Sequence, residues 1–157
     1  CLAEAVRYAE EYGLPLALQN HAPLVRNHRD VLDMVREVHS DYLKVCLDAP
    51  LLTRQEDEWV AQAVREVGGL QVHSHYGGEF ARGSDGKVLL LPSEFGKPPI
   101  NYPRFVKALH ETGYKGYLCY EFCHPCLNEY HRPEGMGRVD EQVRMALEYM
   151  RGLLDAL

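Results

Sequence analysis

The chain has 157 residues, 46% of them hydrophobic and 25% charged, which is enough for one buried core and ordinary for a globular protein. A net charge of −6 without any Lys/Arg-rich run argues against a nucleic-acid or anionic-membrane surface. No stretch approaches the roughly 18 consecutive apolar residues of a membrane span.

A single domain over residues 1–157 is therefore expected. The five cysteines (Cys1, Cys46, Cys119, Cys123 and Cys126) are odd in number, and two fall in predicted strands. That is not the pattern of a secreted disulfide framework, and a reducing cytoplasm is the expected location. Cys123-His124-Pro125-Cys126 is formally a CxxC, but no second pair completes four zinc ligands.

In chain order, residues 1–12 read as a helix with Leu2, Val6 and Ala9 on one stripe and Gly13 as its stop. A short apolar strand over 14–18 runs into Gln19-Asn20-His21. Residues 29–38 repeat apolar side chains at helical spacing (Val31, Leu32, Val35, Val38), and 42–47 form a second strand ending at Asp48. Residues 55–67 are an amphipathic helix with Trp59, Val60, Ala63 and Val64, closed by Gly68-Gly69. A third strand over 70–75 ends in His73-Ser74-His75. The Gly- and Pro-rich stretch 76–101 is read as a long irregular segment, with 88–91 as a possible short strand. A helix over 102–112 and a strand over 116–122 follow. The last helix is expected over 139–154, with Val143, Leu147, Met150 and Leu154 facing inward.

Helix and strand thus alternate throughout. Strands joined by helical crossovers become parallel and are buried on both sides. Four such strands are few for a stable sheet, whereas eight close a barrel. The chain opens without a methionine, inside a helix. The expected fold is therefore α/β: parallel (β/α) repeats forming the C-terminal half of a (β/α)8 barrel, with a four-stranded open α/β domain as the alternative. A half barrel with open edges should dimerise, aggregate or require its missing half, and a homo-oligomer is the expected state.

Sites in such folds form at the carboxyl ends of the strands. Each predicted strand here ends in a residue able to bind metal or move protons: Gln19 and His21, then Asp48, then His73 and His75, then Glu121. Alternation puts His73 and His75 on one face, as it does Cys46 and Asp48, and Cys119 and Glu121. An Asp, a His, a Glu and an amide oxygen make a mixed oxygen/nitrogen set suited to one divalent Mn, Mg, Co or Zn ion. Such an ion would polarise the carbonyl of a sugar or polyol substrate, and a neighbouring carboxylate would move a proton beside it.

The order Leu18-Gln19-Asn20-His21, Val45-Cys46-Leu47-Asp48, Val72-His73-Ser74-His75 and Gly116-Tyr117-Leu118-Cys119-Tyr120-Glu121 resembles the xylose isomerase-like TIM barrels. These are the sugar (phosphate) isomerases and epimerases and the endonuclease IV-type enzymes. The resemblance implies a metal held by Gln19, Asp48, one third-strand histidine and Glu121. His75 is preferred, because Glu79 and Arg82 then follow it as an acidic and a basic substrate contact do in ketose epimerases; His73 is the alternative ligand. Glu121, Glu79 and His73 become the candidate catalytic groups, and His21, Asn20, Arg82 and His124 the candidate substrate contacts.

Two departures from the family pattern bear on the reaction. Gln19 stands where the family has its first carboxylate, and an amide can ligate but cannot accept a proton at neutral pH. Leu51 stands where several epimerases carry a His. A metal-dependent dehydratase or lyase, and a non-catalytic sugar-binding barrel with a decayed metal site, are the competing readings. The segment 76–101 is expected to lie over the site as a lid, with Arg82, Lys87 or Lys97 meeting substrate, or else to be a solvated insertion.

Overall fold

The computed structural model describes residues 1–92, 99–123, 130 and 132–157. The chain divides into two compact units, one comprising residues 1–75 and 100–119, the other residues 76–99 and 120–157.

The first unit begins with helix α1 (Leu2–Tyr12), which buries Val6 and Ala9 and ends where Gly13 adopts φ 65°. That left-handed geometry strains any residue with a Cβ. Strand β1 (Leu16–Gln19) follows, so the strand reaches Gln19 itself, and Leu14 is left 66% exposed before it. Helix α2 (His28–Val38) starts one residue earlier than its apolar pattern indicates. Asn27 is extended there, and its side chain accepts the N–H groups of Arg29 and Asp30. Then come β2 (Leu43–Cys46), α3 (Asp57–Val67), β3 (Gln71–Tyr76), α4 (Tyr102–Glu111) and β6 (Tyr117–Tyr120). The Gln55 side chain ties α3 to α4: its amide donates to Ala49 O and Leu52 O and accepts from Asn101 N at 2.8 Å. With its side chain so engaged, Gln55 precedes α3, which begins at Asp57.

The strands run β1-β2-β3-β6 across one sheet, with β1–β2 and β2–β3 parallel. Chain-order neighbours lie side by side, the expected consequence of βα crossovers. The core lies between this sheet and its helices: Val31, Leu32 and Val35 from α2, Leu43, Val45 and Leu47 along β2, Val60, Ala63 and Val64 from α3, and Phe105, Val106 and Leu109 from α4 are all buried. Between β2 and β3 the register slips after Val45, which pairs with Gln71 while Cys46 pairs with His73. The residue this bulge leaves unpaired is Val72 of β3, and β2 ends at Cys46, so Leu47 and Asp48 lie just past the ladder.

Gly116, just before β6, could not be another residue at this spacing. A Cβ there would collide with the Tyr114 ring and lie 2.5 Å from the Val72 carbonyl oxygen. The absent side chain lets β6 approach β3.

The second unit differs from the sequence-based expectation in two respects. First, the short strand expected over 88–91 is present as β5 (Val88–Leu90), but it pairs antiparallel with an unexpected strand, β4 (Phe80–Arg82). Second, α5 (Met136–Asp155) starts three residues early and buries Gln142, Met145, Ala146 and Met150. Val143, Leu147 and Leu154, expected to face inward, are exposed. The face is turned by one residue, about 100° of helix rotation, because the hairpin packs on α5 and takes a polar side chain into the contact. Phe80 is fully buried, its ring 5.2 Å from Tyr149 and 6.0 Å from Tyr120. Gln142 Oε1 accepts the Phe80 N–H and its Nε2 donates to the Phe80 carbonyl, both at 2.9 Å.

Candidate functional site

The first unit gathers Gln19, Cys46, Asp48 and His75 at the carboxyl ends of β1, β2 and β3. Gln19 and Cys46 are register partners, so their side chains share a face, and Asp48 lies two residues beyond Cys46 on that face. The Asp48 carboxylate is only 1% exposed. Its Oδ1 accepts the His75 backbone N–H at 2.6 Å and lies 3.3 Å from the Cys46 thiol. Its Oδ2 accepts the Gln19 amide at 2.5 Å and lies 3.1 Å from His75 Nδ1. Gln19 Nε2 and Cys46 Sγ stand 3.4 and 3.5 Å from His75 Nδ1. Four polar side chains thus converge on one small volume, and the His75 side chain is 29% open to solvent.

Buried carboxamides fix where Asp48 sits. Asn20 is 1% exposed; its Oδ1 accepts the Asp48 N–H at 2.8 Å and its Nδ2 donates to the Asp48 carbonyl at 3.2 Å. Gln71 treats Leu47 the same way, accepting its N–H at 3.1 Å and donating to its carbonyl at 3.2 Å. Ser74 adds a 2.7 Å bond to that carbonyl. Side-chain amides from the two neighbouring strand ends therefore satisfy the backbone of the two residues that follow β2. Asn20, expected as a substrate contact, is instead a buried clamp with both amide ends engaged by backbone. A lone amide inside an apolar run, as at Gln71 between Leu70 and Val72, is the sequence signal for this device.

His73 and His75 do share a face: their rings meet edge-on with centroids 4.7 Å apart. His21 is exposed, its Nδ1 2.5 Å from the Ala22 carbonyl oxygen. Tyr114 lies near the cluster and donates to the Tyr117 carbonyl at 2.8 Å. Burial first, and then negative charge at Cys46, Cys119 and Asp48, push its phenol up to about 12, so it stays a neutral donor.

The remaining candidates belong to the second unit or lie outside the described residues. Glu121 is exposed just past β6, and its N–H donates to Tyr76 O at 2.9 Å. Glu79 is exposed, and its carbonyl accepts the Leu91 N–H at 2.8 Å. Arg82, expected to meet substrate, forms a two-pronged ion pair with Glu148 of α5 at 2.9 and 2.7 Å and also donates to the Gly86 carbonyl. That pairing raises the Arg82 pKa and lowers that of Glu148. The guanidinium thus fastens the hairpin to its helix. His124, Cys126 and Lys97 lie outside the described residues.

The donor set suits a divalent ion. A buried carboxylate demands a compensating charge, and among the described residues the only basic side chain paired with Asp48 is His75. Cys46, Asp48 and His75 offer donor atoms all within 4.8 Å of one another, the only group of this kind among the described residues. No helix among those residues is long and apolar enough to cross a membrane.

A parallel βα sheet with ligand-type side chains collected at neighbouring strand ends defines an α/β protein of the barrel type, with its site at the carboxyl face. The chain belongs to the xylose isomerase-like TIM barrel family, whose model matches residues 1–152. No curated protein matches it in sequence. Among solved structures it resembles D-psicose 3-epimerase from Clostridium cellulolyticum H10, solved with D-tagatose, at 19% identity and a TM-score of 0.70, covering 98% of this chain and 54% of that one. It also resembles D-allulose 3-epimerase from Methylomonas sp. in complex with D-allulose (16%, 0.69, covering 96% and 52%). A third similar structure is 3-keto-D-glucoside 4-epimerase from E. coli (16%, 0.62, covering 96% and 52%). The chain spans about half the length of these barrels, as their 52–54% coverage states.

Proposed function

We propose that this chain carries the metal-binding part of a divalent-metal-dependent isomerase or epimerase acting on a sugar or polyol. The observation that supports this most directly is the buried Asp48 carboxylate, which is joined by His75 and Gln19 at the carboxyl ends of adjacent strands. Asp48 and His75 would hold the ion, with the Gln19 amide beside them. Glu121 enters as a further ligand and proton carrier on the family resemblance alone. When bound, the ion would supply Lewis-acid polarisation of a substrate carbonyl.

The protein's own groups divide the rest of the work. The Asn20 clamp fixes the Asp48 backbone and so keeps its carboxylate at the strand ends where an ion would bind. His73, edge-on to His75, presents its ring toward the same face and can hydrogen-bond a substrate hydroxyl. Glu121 would take a proton from the carbon beside the carbonyl and return it. Gln19 cannot accept a proton, so a one-base shuttle of the aldose–ketose kind fits better than two opposed carboxylates. Glu79 or His73 would have to act as the second base for an epimerisation.

A second reading is favoured by one contact. The Gln19 N–H₂ group lies between Asp48 and His75 and, together with the His75 backbone N–H on Oδ1, satisfies the carboxylate without a metal, as in a sugar-binding barrel. Elemental analysis of the purified protein separates the two. About one divalent ion per chain, lost in both Asp48→Ala and Glu121→Ala, supports the enzyme and justifies product analysis with ketoses and polyols. No metal after reconstitution moves the assignment to the binding protein.

A further inference from the structure

We propose that the Cys46 thiolate is itself a metal ligand, making a Cys46/Asp48/His75 site that selects zinc-type ions over magnesium or manganese. This rests on the metal reading above and specifies the ion. In a tetrahedral zinc site with Zn–S of about 2.3 Å and Zn–N and Zn–O of about 2.0 Å, neighbouring ligand atoms stand about 3.5 Å apart where sulfur is involved and about 3.3 Å apart otherwise. Here Cys46 Sγ lies 3.3 Å from Asp48 Oδ1 and 3.5 Å from His75 Nδ1, and His75 Nδ1 lies 3.1 Å from Asp48 Oδ2. The thiol and the imidazole each stand at such a distance from one oxygen of the same carboxylate, and one donor atom from each of the three residues lies within 4.8 Å of the others.

The setting of the thiol agrees. Cys46 is 2% exposed, and its register partner Gln19 directs an amide at the same carboxylate. Thiolate and imidazole donors favour zinc or cobalt, whereas magnesium and manganese favour oxygen. With a neutral amide at Gln19, the thiolate adds its negative charge to that of Asp48 in balancing a divalent ion. On binding, the Cys46 S–H bond gives way to a sulfur–metal bond and its proton leaves to solvent.

Cobalt(II) loading of the purified protein reads the ligand directly. The wild type should show a sulfur-to-cobalt charge-transfer band in the near ultraviolet. The band should vanish in Cys46→Ser and persist in Cys119→Ser, a control thiol from the same unit. Zinc affinity in Cys46→Ser should fall at least about tenfold, while manganese affinity changes less than about threefold. Cobalt bound to the wild type without the band, or a band that survives Cys46→Ser, overturns the thiolate ligand and leaves the Asp48/His75 reading standing. Failure of cobalt and zinc to bind overturns the thiolate ligand, and failure of manganese and magnesium as well overturns the metal reading with it. Should Cys46→Ser not fold by circular dichroism, X-ray absorption of the zinc-loaded wild type decides: a sulfur neighbour at about 2.3 Å supports the proposal and a shell of only light atoms overturns it.

Discussion

Replacing Asn20 by alanine tests the claim that the site is built by buried amides. Asn20 is 1% exposed and bonds both backbone groups of Asp48, at 2.8 and 3.2 Å. The substitution strands one N–H and one carbonyl in a buried position, at about 1–3 kcal/mol each. Water entering the vacated space recovers part of that, so the expected loss is about 2–4 kcal/mol. With a urea slope of about 2 kcal/mol per molar, mid-range for a small protein, the unfolding midpoint should fall by about 1–2 M at unchanged slope. Metal affinity should fall in parallel, because the carboxylate loses its fixed position. A variant whose midpoint stays within about 0.3 M of wild type, yet whose substrate affinity changes, would falsify the clamp and return Asn20 to the role of substrate contact.

Two other outcomes are expected. Gln142→Leu, which removes the amide that bonds both backbone groups of Phe80, should destabilise the β4–β5 hairpin by about 2–4 kcal/mol; faster hydrogen exchange at 80–90 would register it, and unchanged exchange there would refute it. Glu66 is held at about 2, well below its usual 4.5, chiefly by Arg29 and then by His28 and Gln62. Its stabilising contribution is present above about pH 4.5 and is lost as pH falls toward 2. The lowering corresponds to at most about 3 kcal/mol, and about 1–2 kcal/mol after screening at the half-exposed Arg29. Glu66→Gln should therefore flatten the acid limb of a stability-versus-pH curve, and an unchanged limb would rule the pair out as its cause.

What the sequence determined by itself was the placing of most elements from short-range periodicity. Helical spacing in Val31-Leu32-Val35 and in Val60-Ala63-Val64 placed α2 and α3, and alternation put His73 beside His75 and Cys46 beside Asp48, because strand geometry leaves no choice of face. The α/β class and the polar strand ends followed from the same patterns. Tertiary structure decided what each polar side chain faces. Asn20, Gln71 and Gln142 look alike in sequence to surface or ligand-binding amides. Each instead bonds the N–H and carbonyl of one distant residue, 28, 24 and 62 positions away. Arg82 was drawn to Glu148, 66 residues on, and α5 turned its Gln142 face inward because a hairpin without an alternating apolar pattern packs there. Contacts of this range depend on how strands slip in register and where a bulge opens the ladder. Those are properties of the assembled sheet, and no local stretch of the chain encodes them.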